Sequence, residues 1–306
     1  MKRLSIIWIL VLAACTRTPA PLLCPTTIVL KTGTPATRAS DPDEERISDV
    51  NLLIFNPLGE LEEKVFVSGR QIEYLDGAVC HRTRLLKGVS YTFLAAANLG
   101  YELPCRTLEE ALVYRYHMAY PDEFKPGMPM AAFLENLEAG EKMEIPLERL
   151  MAKVVLSVDR RALDEDVQLV VRQVKVGCCP SSVQLSGESK GSQFFASGYL
   201  KDWSQVRALN EGGSLGVYLL ENVQGERPEP SRTECSYLEI KMEYRSGAFQ
   251  TRPGEYLVYR FYLQENPGDY SVRRNVLYRV TVKPEGDGLG ENSWRVDQSA
   301  LDPAGY

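Results

Sequence analysis

Residues 238–244, LEIKMEY, alternate between apolar and charged side chains and indicate the fold class of this chain. The leucine, isoleucine, methionine and tyrosine of this stretch fall on one face of an extended strand, because successive side chains of a strand point to opposite faces. The same alternation recurs in three further segments of the C-terminal half: 167–171, 257–263 and 276–282. No alternation of strands with helices accompanies them, so we predict a β-sandwich for this half.

The N-terminal half also contains mainly strand patterns. Short runs rich in β-branched or apolar residues predict strands over 26–31, 50–55 and 89–97. A helix is predicted over 107–118, where Thr107 and Glu110 have the spacing of a capping box, and a second short helix over 201–209. We therefore predict an all-β protein of two tandem sandwich domains with one or two short helices: residues 26–148, and residues 149–306 including a C-terminal tail.

Composition excludes one class of partner. The chain has 44% apolar and 25% charged residues and a formal net charge of −6, which are values of a globular protein. A negative net charge argues against a surface that binds polyanions. We predict no nucleic-acid partner.

The first fifteen residues, MKRLSIIWILVLAAC, indicate export. Two basic residues, an apolar run and small residues before Cys15 form a secretory signal, and the run is shorter than the ~20 apolar residues that span a bilayer. The segment resembles the lipobox of bacterial lipoproteins. This resemblance implies cleavage between Ala14 and Cys15, removal of residues 1–14 and a lipid on Cys15. Residues 16–25, TRTPAPLLCP, contain three prolines and no periodicity, so we predict an extended tether over 15–25.

We predict no enzymatic activity and no cofactor. Residues 212–216, GGSLG, match the nucleophile elbow G-x-S-x-G, but a strand-like segment follows and both histidines, His81 and His117, precede the serine. A glycine-rich hairpin turn is the better interpretation. Neither the histidines nor the cysteines have the spacing of a zinc site, so no metal site is predicted.

Six cysteines remain besides Cys15, and an exported protein can pair them. Buried free thiols and a bridge from Cys178 or Cys179 to Cys235 are both open alternatives.

Several segments of the chain resemble the fimbrillin superfamily of type V pili, found in Bacteroidales. They are DVNLLIFNPLGEL (49–61), KGVSYTFLAAANLG (87–100), IPLERLMAKVVLSVD (145–159), VYLLENVQG (217–225) and DYSVRRNVLYRVTV (269–282). The resemblance implies two transthyretin-like β-sandwich domains in a lipoprotein of the cell outer membrane. It also implies a structural role in a fimbrium, as stalk subunit or anchor, with other fimbrial subunits and outer-membrane lipid as partners.

Polymerising members of this superfamily lose their first strand after an arginine-specific cut, and a strand from a neighbour fills the groove. By this resemblance the removable strand is 26–31, and the cut follows Arg38 or Arg46. Arg46 is the stronger candidate because it directly precedes the next strand, and the tail 289–306 is a possible donor strand. A surface glycan-binding lipoprotein is the alternative, although the only tryptophans are Trp8, Trp203 and Trp294.

Overall fold

The computed structural model describes residues 22–32, 45–121, 123–124, 127–201 and 203–301. Within these ranges the chain forms nineteen strands and two α-helices, which confirms the all-β prediction. The strands of the N-terminal half are β1 (Leu23–Thr32), β2 (Asp49–Phe55), β3 (Leu61–Ser68), β4 (Glu73–Leu75), β5 (Ala78–Leu86), β6 (Ser90–Ala97), β7 (Arg115–His117), β8 (Met130–Glu138) and β9 (Lys142–Arg149). Those of the C-terminal half are β10 (Met151–Val158), β11 (Ala162–Leu163), β12 (Gln168–Gly177), β13 (Ser182–Gln184), β14 (Tyr199–Lys201), β15 (Ser214–Leu220), β16 (Tyr237–Arg245), β17 (Leu257–Tyr262), β18 (Leu277–Gly286) and β19 (Trp294–Leu301). The helices are α1 (Leu108–Val113) and α2 (Trp203–Asn210).

Eight strands of the N-terminal half follow one another in the order β3-β2-β6-β8-β9-β1-β5-β4. β8 and β9 pair at only two positions, Met130 with Arg149 and Ala131 with Glu148, and the sheet folds over at this point into two layers. Inward side chains of both layers, from β1, β5 and β9 on one side and β2 and β6 on the other, form a single core. This half is therefore a sandwich in which β1 is an interior strand.

The C-terminal half is a second sandwich. One layer has the order β11-β18-β10-β15 with β19 paired to β18, and the other has the order β14-β12-β16-β17. β10 is antiparallel to β15 and parallel to β18, just as β1 is antiparallel to β5 and parallel to β9. The apolar residues of the four alternating segments predicted from sequence lie in the core between the layers.

A third apolar cluster joins the two halves. It contains outward-facing residues of β2 and β6 together with residues of β10, β13 and β15. β2 is buried along its whole length, which explains why its residues 52–55, LLIF, form a continuous apolar run rather than an alternating one. Two chain features reinforce this junction: β7 pairs with β13 across the halves, and the single residue Leu150 separates β9 from β10.

The two predicted helices are present, but the first is shorter than predicted. The hydroxyl of Thr107 accepts a hydrogen bond from the Glu110 amide at 3.2 Å, which confirms the predicted N-cap. α1 then ends at Val113, because the following residues form β7 and pair with the distant β13. The predicted second helix corresponds to α2.

The glycine-rich segment 212–216 is not a hairpin turn, so that part of the prediction is wrong. It connects α2 to β15, and Ser214 is the first residue of the strand. Gly212 has φ +79°, a left-handed conformation that lets the chain reverse after the helix. The order helix, turn, strand is the reverse of the nucleophile elbow, so the serine is not placed as a nucleophile.

Candidate functional site

The first strand and its surroundings are the candidate site, because β1 lies inside its layer rather than at an edge. β1 is antiparallel to β5 from Leu23 to Leu30 and parallel to β9 from Thr27 to Thr32. The strand starts earlier than the predicted 26–31. Its Pro25 lies before the first position paired with β9, so the missing N–H of proline removes no bond to that strand.

Side chains of β1 fill the interior of the sandwich. Ile28 and Leu30 point into the core and are 0% and 1% exposed, and Thr26 on the same face is also buried. Burial of an aliphatic side chain of this size contributes about 1.5–3 kcal/mol. Loss of β1 would leave an apolar groove bordered by two unpaired strand edges, on β5 and β9. Lys31, which pairs with Glu144 at 2.7 Å, is at the surface.

Arg46 lies three residues before β2, and its backbone is held by the side chain of Asn98. The Asn98 amide nitrogen donates to the carbonyls of Arg46 and Met128, each at 2.7 Å. Its amide oxygen accepts from the backbone N–H of Ser48 at 2.8 Å and from the Ser48 hydroxyl at 3.0 Å. The side chain of Arg46 is exposed. The Arg46 carbonyl, which belongs to the peptide bond that a protease would cut, is hydrogen-bonded to Asn98.

The start of β2 is fixed by a second polar contact. The carboxylate of Asp49 accepts hydrogen bonds from the amides of Leu99 at 3.0 Å and Gly100 at 3.1 Å. Burial raises the pKa of Asp49, although these bonds favour its charged form. Asn98 has φ +61°, and asparagine is one of the residues that tolerate this conformation. Three successive residues of the turn after β6, 98–100, therefore hold Arg46, Ser48 and Asp49 at the start of β2.

A polar clip connects β5 to β3 across the open side of the N-terminal sandwich. His81 Nε2 lies 2.7 Å from one carboxylate oxygen of Glu63, and the hydroxyl of Thr83 donates to the other. The histidine and glutamate side chains are 27% and 30% exposed. Since β5 and β3 share no backbone pairing, this clip joins the two layers independently of β1.

The described part of the predicted tail forms β19, which pairs with β18 over eight positions. The ring of Trp294 stacks on Tyr259 with 3.7 Å between centroids. One face of this tryptophan is therefore covered and does not form an exposed platform for a sugar.

The remaining predicted site residues fall into two groups. Ala14, Cys15 and Arg38 lie outside the described residues, so cleavage and lipidation at the N-terminus stay predictions. The six cysteines in the described part of the chain have free thiols: Cys24, Cys80, Cys105, Cys178, Cys179 and Cys235. The alternative of a bridge from Cys178 or Cys179 to Cys235 is therefore not formed. Among the residues that the structure describes, no helix is both long and apolar enough to cross a membrane.

Known structures share this architecture along almost the whole chain. The tip fimbrial protein Mfa3 from Porphyromonas gingivalis, determined with a C-terminal truncation, has 14% identity and a TM-score of 0.61, and the match covers 91% of this chain and 99% of that one. The fimbrilin FimA from the same species has 12% identity, a TM-score of 0.60 and coverage of 90% and 96%. A fimbrial assembly protein from Parabacteroides distasonis has 13% identity, a TM-score of 0.55 and coverage of 90% and 95%.

These likenesses define the fold as that of fimbrial proteins of Bacteroidales. The chain has a fimbrillin-like fold, as its sequence segments predicted. Residues 217–282 match a family described as a domain of unknown function, DUF4906. A search of curated protein sequences gives no match.

Proposed function

We propose that this chain is a fimbrial subunit of the bacterial surface that is carried to the outer membrane on a lipid at Cys15 and receives a strand from a neighbouring subunit in place of β1. A chain that loses β1 joins a fibre, and one that keeps β1 serves as an anchor. Support comes from the fimbrillin-like fold and the signal sequence that ends in cysteine.

The observation that carries the proposal is the interior position of β1. An edge strand that is removed leaves one unpaired edge, whereas removal of β1 leaves a groove with hydrogen-bonding edges on both sides. The two pockets vacated by Ile28 and Leu30 would give the incoming strand its register. The clip from Glu63 to His81 and Thr83 keeps β5 attached to β3 when β1 is absent.

Release of β1 requires a cut between β1 and β2, and Arg38 and Arg46 are the proposed sites. The hydrogen bonds that the Asn98 side chain makes with Arg46 and Ser48 oppose cleavage after Arg46, because a protease needs its substrate extended and free of such contacts. We therefore expect the first cut after Arg38, with Arg46 cut only after the segment opens.

The proposal is tested by strand capture. The mature chain is treated with an arginine-specific protease and then incubated with a fluorescent peptide of residues 23–32, and capture is followed by size-exclusion chromatography. The cleaved chain should take up the peptide, and the uncut chain, whose groove is filled, should not. Failure of the cleaved chain to capture this peptide would refute strand exchange.

Lipidation is tested separately by a radioactive fatty acid supplied to cells that express the chain. Label should appear on the native protein and be absent from the Cys15→Ala variant, while Cys24→Ala retains it. Label on both variants would reject Cys15 as the attachment site.

A further inference from the structure

We infer that β19 is a fixed strand of the C-terminal half and does not serve as the strand donated to a neighbouring subunit. The inference rests on the proposed function and adds that any strand given to a neighbour lies outside residues 294–301.

The backbone of β19 is paired along its whole length. Its eight residues, 294–301, are in register with residues 277–284 of β18. Ion pairs between side chains connect the same two elements: Asp297 with Lys283, and Arg295 with Glu285 at 3.0 Å. Release of β19 would expose the edge of β18 and part of the core between the layers.

Trp294 ties the start of β19 to the opposite layer. Its indole nitrogen donates to the carbonyl of Gly288 at 3.0 Å, and the hydroxyl of Tyr259 donates to the same oxygen at 2.9 Å. Tyr259 belongs to β17, and the two rings are stacked. The tryptophan is therefore held by a β17 side chain and by the loop that precedes β19.

Gln298 ties the middle of β19 to the same opposite layer. Its side-chain nitrogen donates to the carbonyl of Tyr262 at 2.8 Å, and its oxygen accepts from the amide of Gln264 at 3.2 Å. These partners are the last residue of β17 and a residue just beyond it. The side chain thus satisfies backbone groups at the end of β17. If β19 left to act as a donor strand, both hydrogen bonds would be lost.

The sequence of β19 also does not match the groove of β1. The groove needs two aliphatic residues at alternate positions, as supplied by Ile28 and Leu30. The alternate residues of β19 on one face are Trp294, Val296, Gln298 and Ala300, and those on the other face are Arg295, Asp297, Ser299 and Leu301. Every neighbouring pair within these sets includes a tryptophan, a glutamine, a serine or a charged residue. A polar group without a partner or an oversized ring would then occupy a fully buried position.

The test uses the cleaved full chain with peptides of residues 23–32 and 291–301. We expect the β19 peptide to be captured at least about 100-fold more weakly than the β1 peptide, and a β19 peptide with Gln298→Leu to recover at least about tenfold. A β19 peptide with Ser299→Ala is the matched control and should behave like the native one.

Capture of the native β19 peptide as strong as that of the β1 peptide would overturn the inference. If the β1 peptide is not captured, the proposed function fails, and hydrogen exchange on the intact chain decides the inference about β19. Protection of the β19 amides that bond to β18, equal to that of the β18 amides bonded to β19, supports it, and exchange about 100-fold faster at those β19 amides overturns it.

Discussion

Removal of the Asn98 side chain should make the bond after Arg46 accessible to an arginine-specific protease. Asn98→Gly is the appropriate change, because glycine retains the backbone conformation at φ +61° while it removes the amide. The control is Asn136→Gly, since Asn136 also has a positive φ of +56° but an exposed side chain.

The expected size of the effect follows from the hydrogen bonds between Asn98 and the segment before β2. The native side chain binds the Arg46 carbonyl and both donors of Ser48, and each such bond contributes about 1 kcal/mol net. Opening of the segment should therefore become easier by about 2–3 kcal/mol, which corresponds to cleavage about 30–150-fold faster when opening precedes cutting in rapid equilibrium.

The assay follows each cut by mass spectrometry over time. Cleavage after Arg172, which lies inside β12, serves as an internal reference, because global unfolding accelerates both cuts and local opening accelerates only the one after Arg46. An unchanged rate after Arg46 in Asn98→Gly, or equal acceleration at both bonds, would refute the role assigned to Asn98.

Three further predictions follow, two on the sandwich that surrounds β1 and one on the core of the C-terminal half. Ile28→Ala should lower the free energy of unfolding by about 2–5 kcal/mol and Lys31→Ala by less than about 0.5 kcal/mol, as measured by denaturant titration; equal effects would mean that β1 is not packed as described. Glu63→Ala should lower the free energy of unfolding by about 1–2 kcal/mol in the same titration, whereas replacement of the exposed Glu62 on the same strand by alanine should leave it unchanged. An unchanged free energy of unfolding in Glu63→Ala would refute the stabilising role of the clip. Burial raises the pKa of Cys179 to about 12, so its thiolate fraction at pH 8 is very small and iodoacetamide should label it only after unfolding; rapid labelling of the native chain would contradict this.

Sequence patterns were sufficient where one face of a strand contacts the core. Residues 238–244 are an example, because the apolar side chains of β16 face the core whereas Lys241 and Glu243 between them are more exposed, and the alternation follows this difference. β19 gave a weaker pattern, since its inward face includes Gln298, a polar residue whose partners lie at the end of β17. A polar residue at an inward position interrupts the hydrophobic alternation, so the strand cannot be predicted from that alternation alone.

Contacts between segments that are distant in sequence were not predictable. Nothing near Arg46 indicates that Asn98 binds its carbonyl, because a lone asparagine after an apolar run is also typical of an ordinary turn. The end of α1 has the same origin, since β7 forms only because β13 from the other half is beside it. A single-sequence pattern contains local periodicity and no information on which distant strand is the partner.

The direct passage from β9 to β10 through Leu150 has a mechanical consequence. Under the proposed strand exchange, a strand seated in the vacated groove would lie alongside β9, and a pull along that strand would load its backbone hydrogen bonds together, in shear, rather than opening them one at a time. Such tension would pass along β9 and continue through one buried residue into β10, an interior strand of the second sandwich. That path runs on covalent backbone between two cores, without a loop that can stretch.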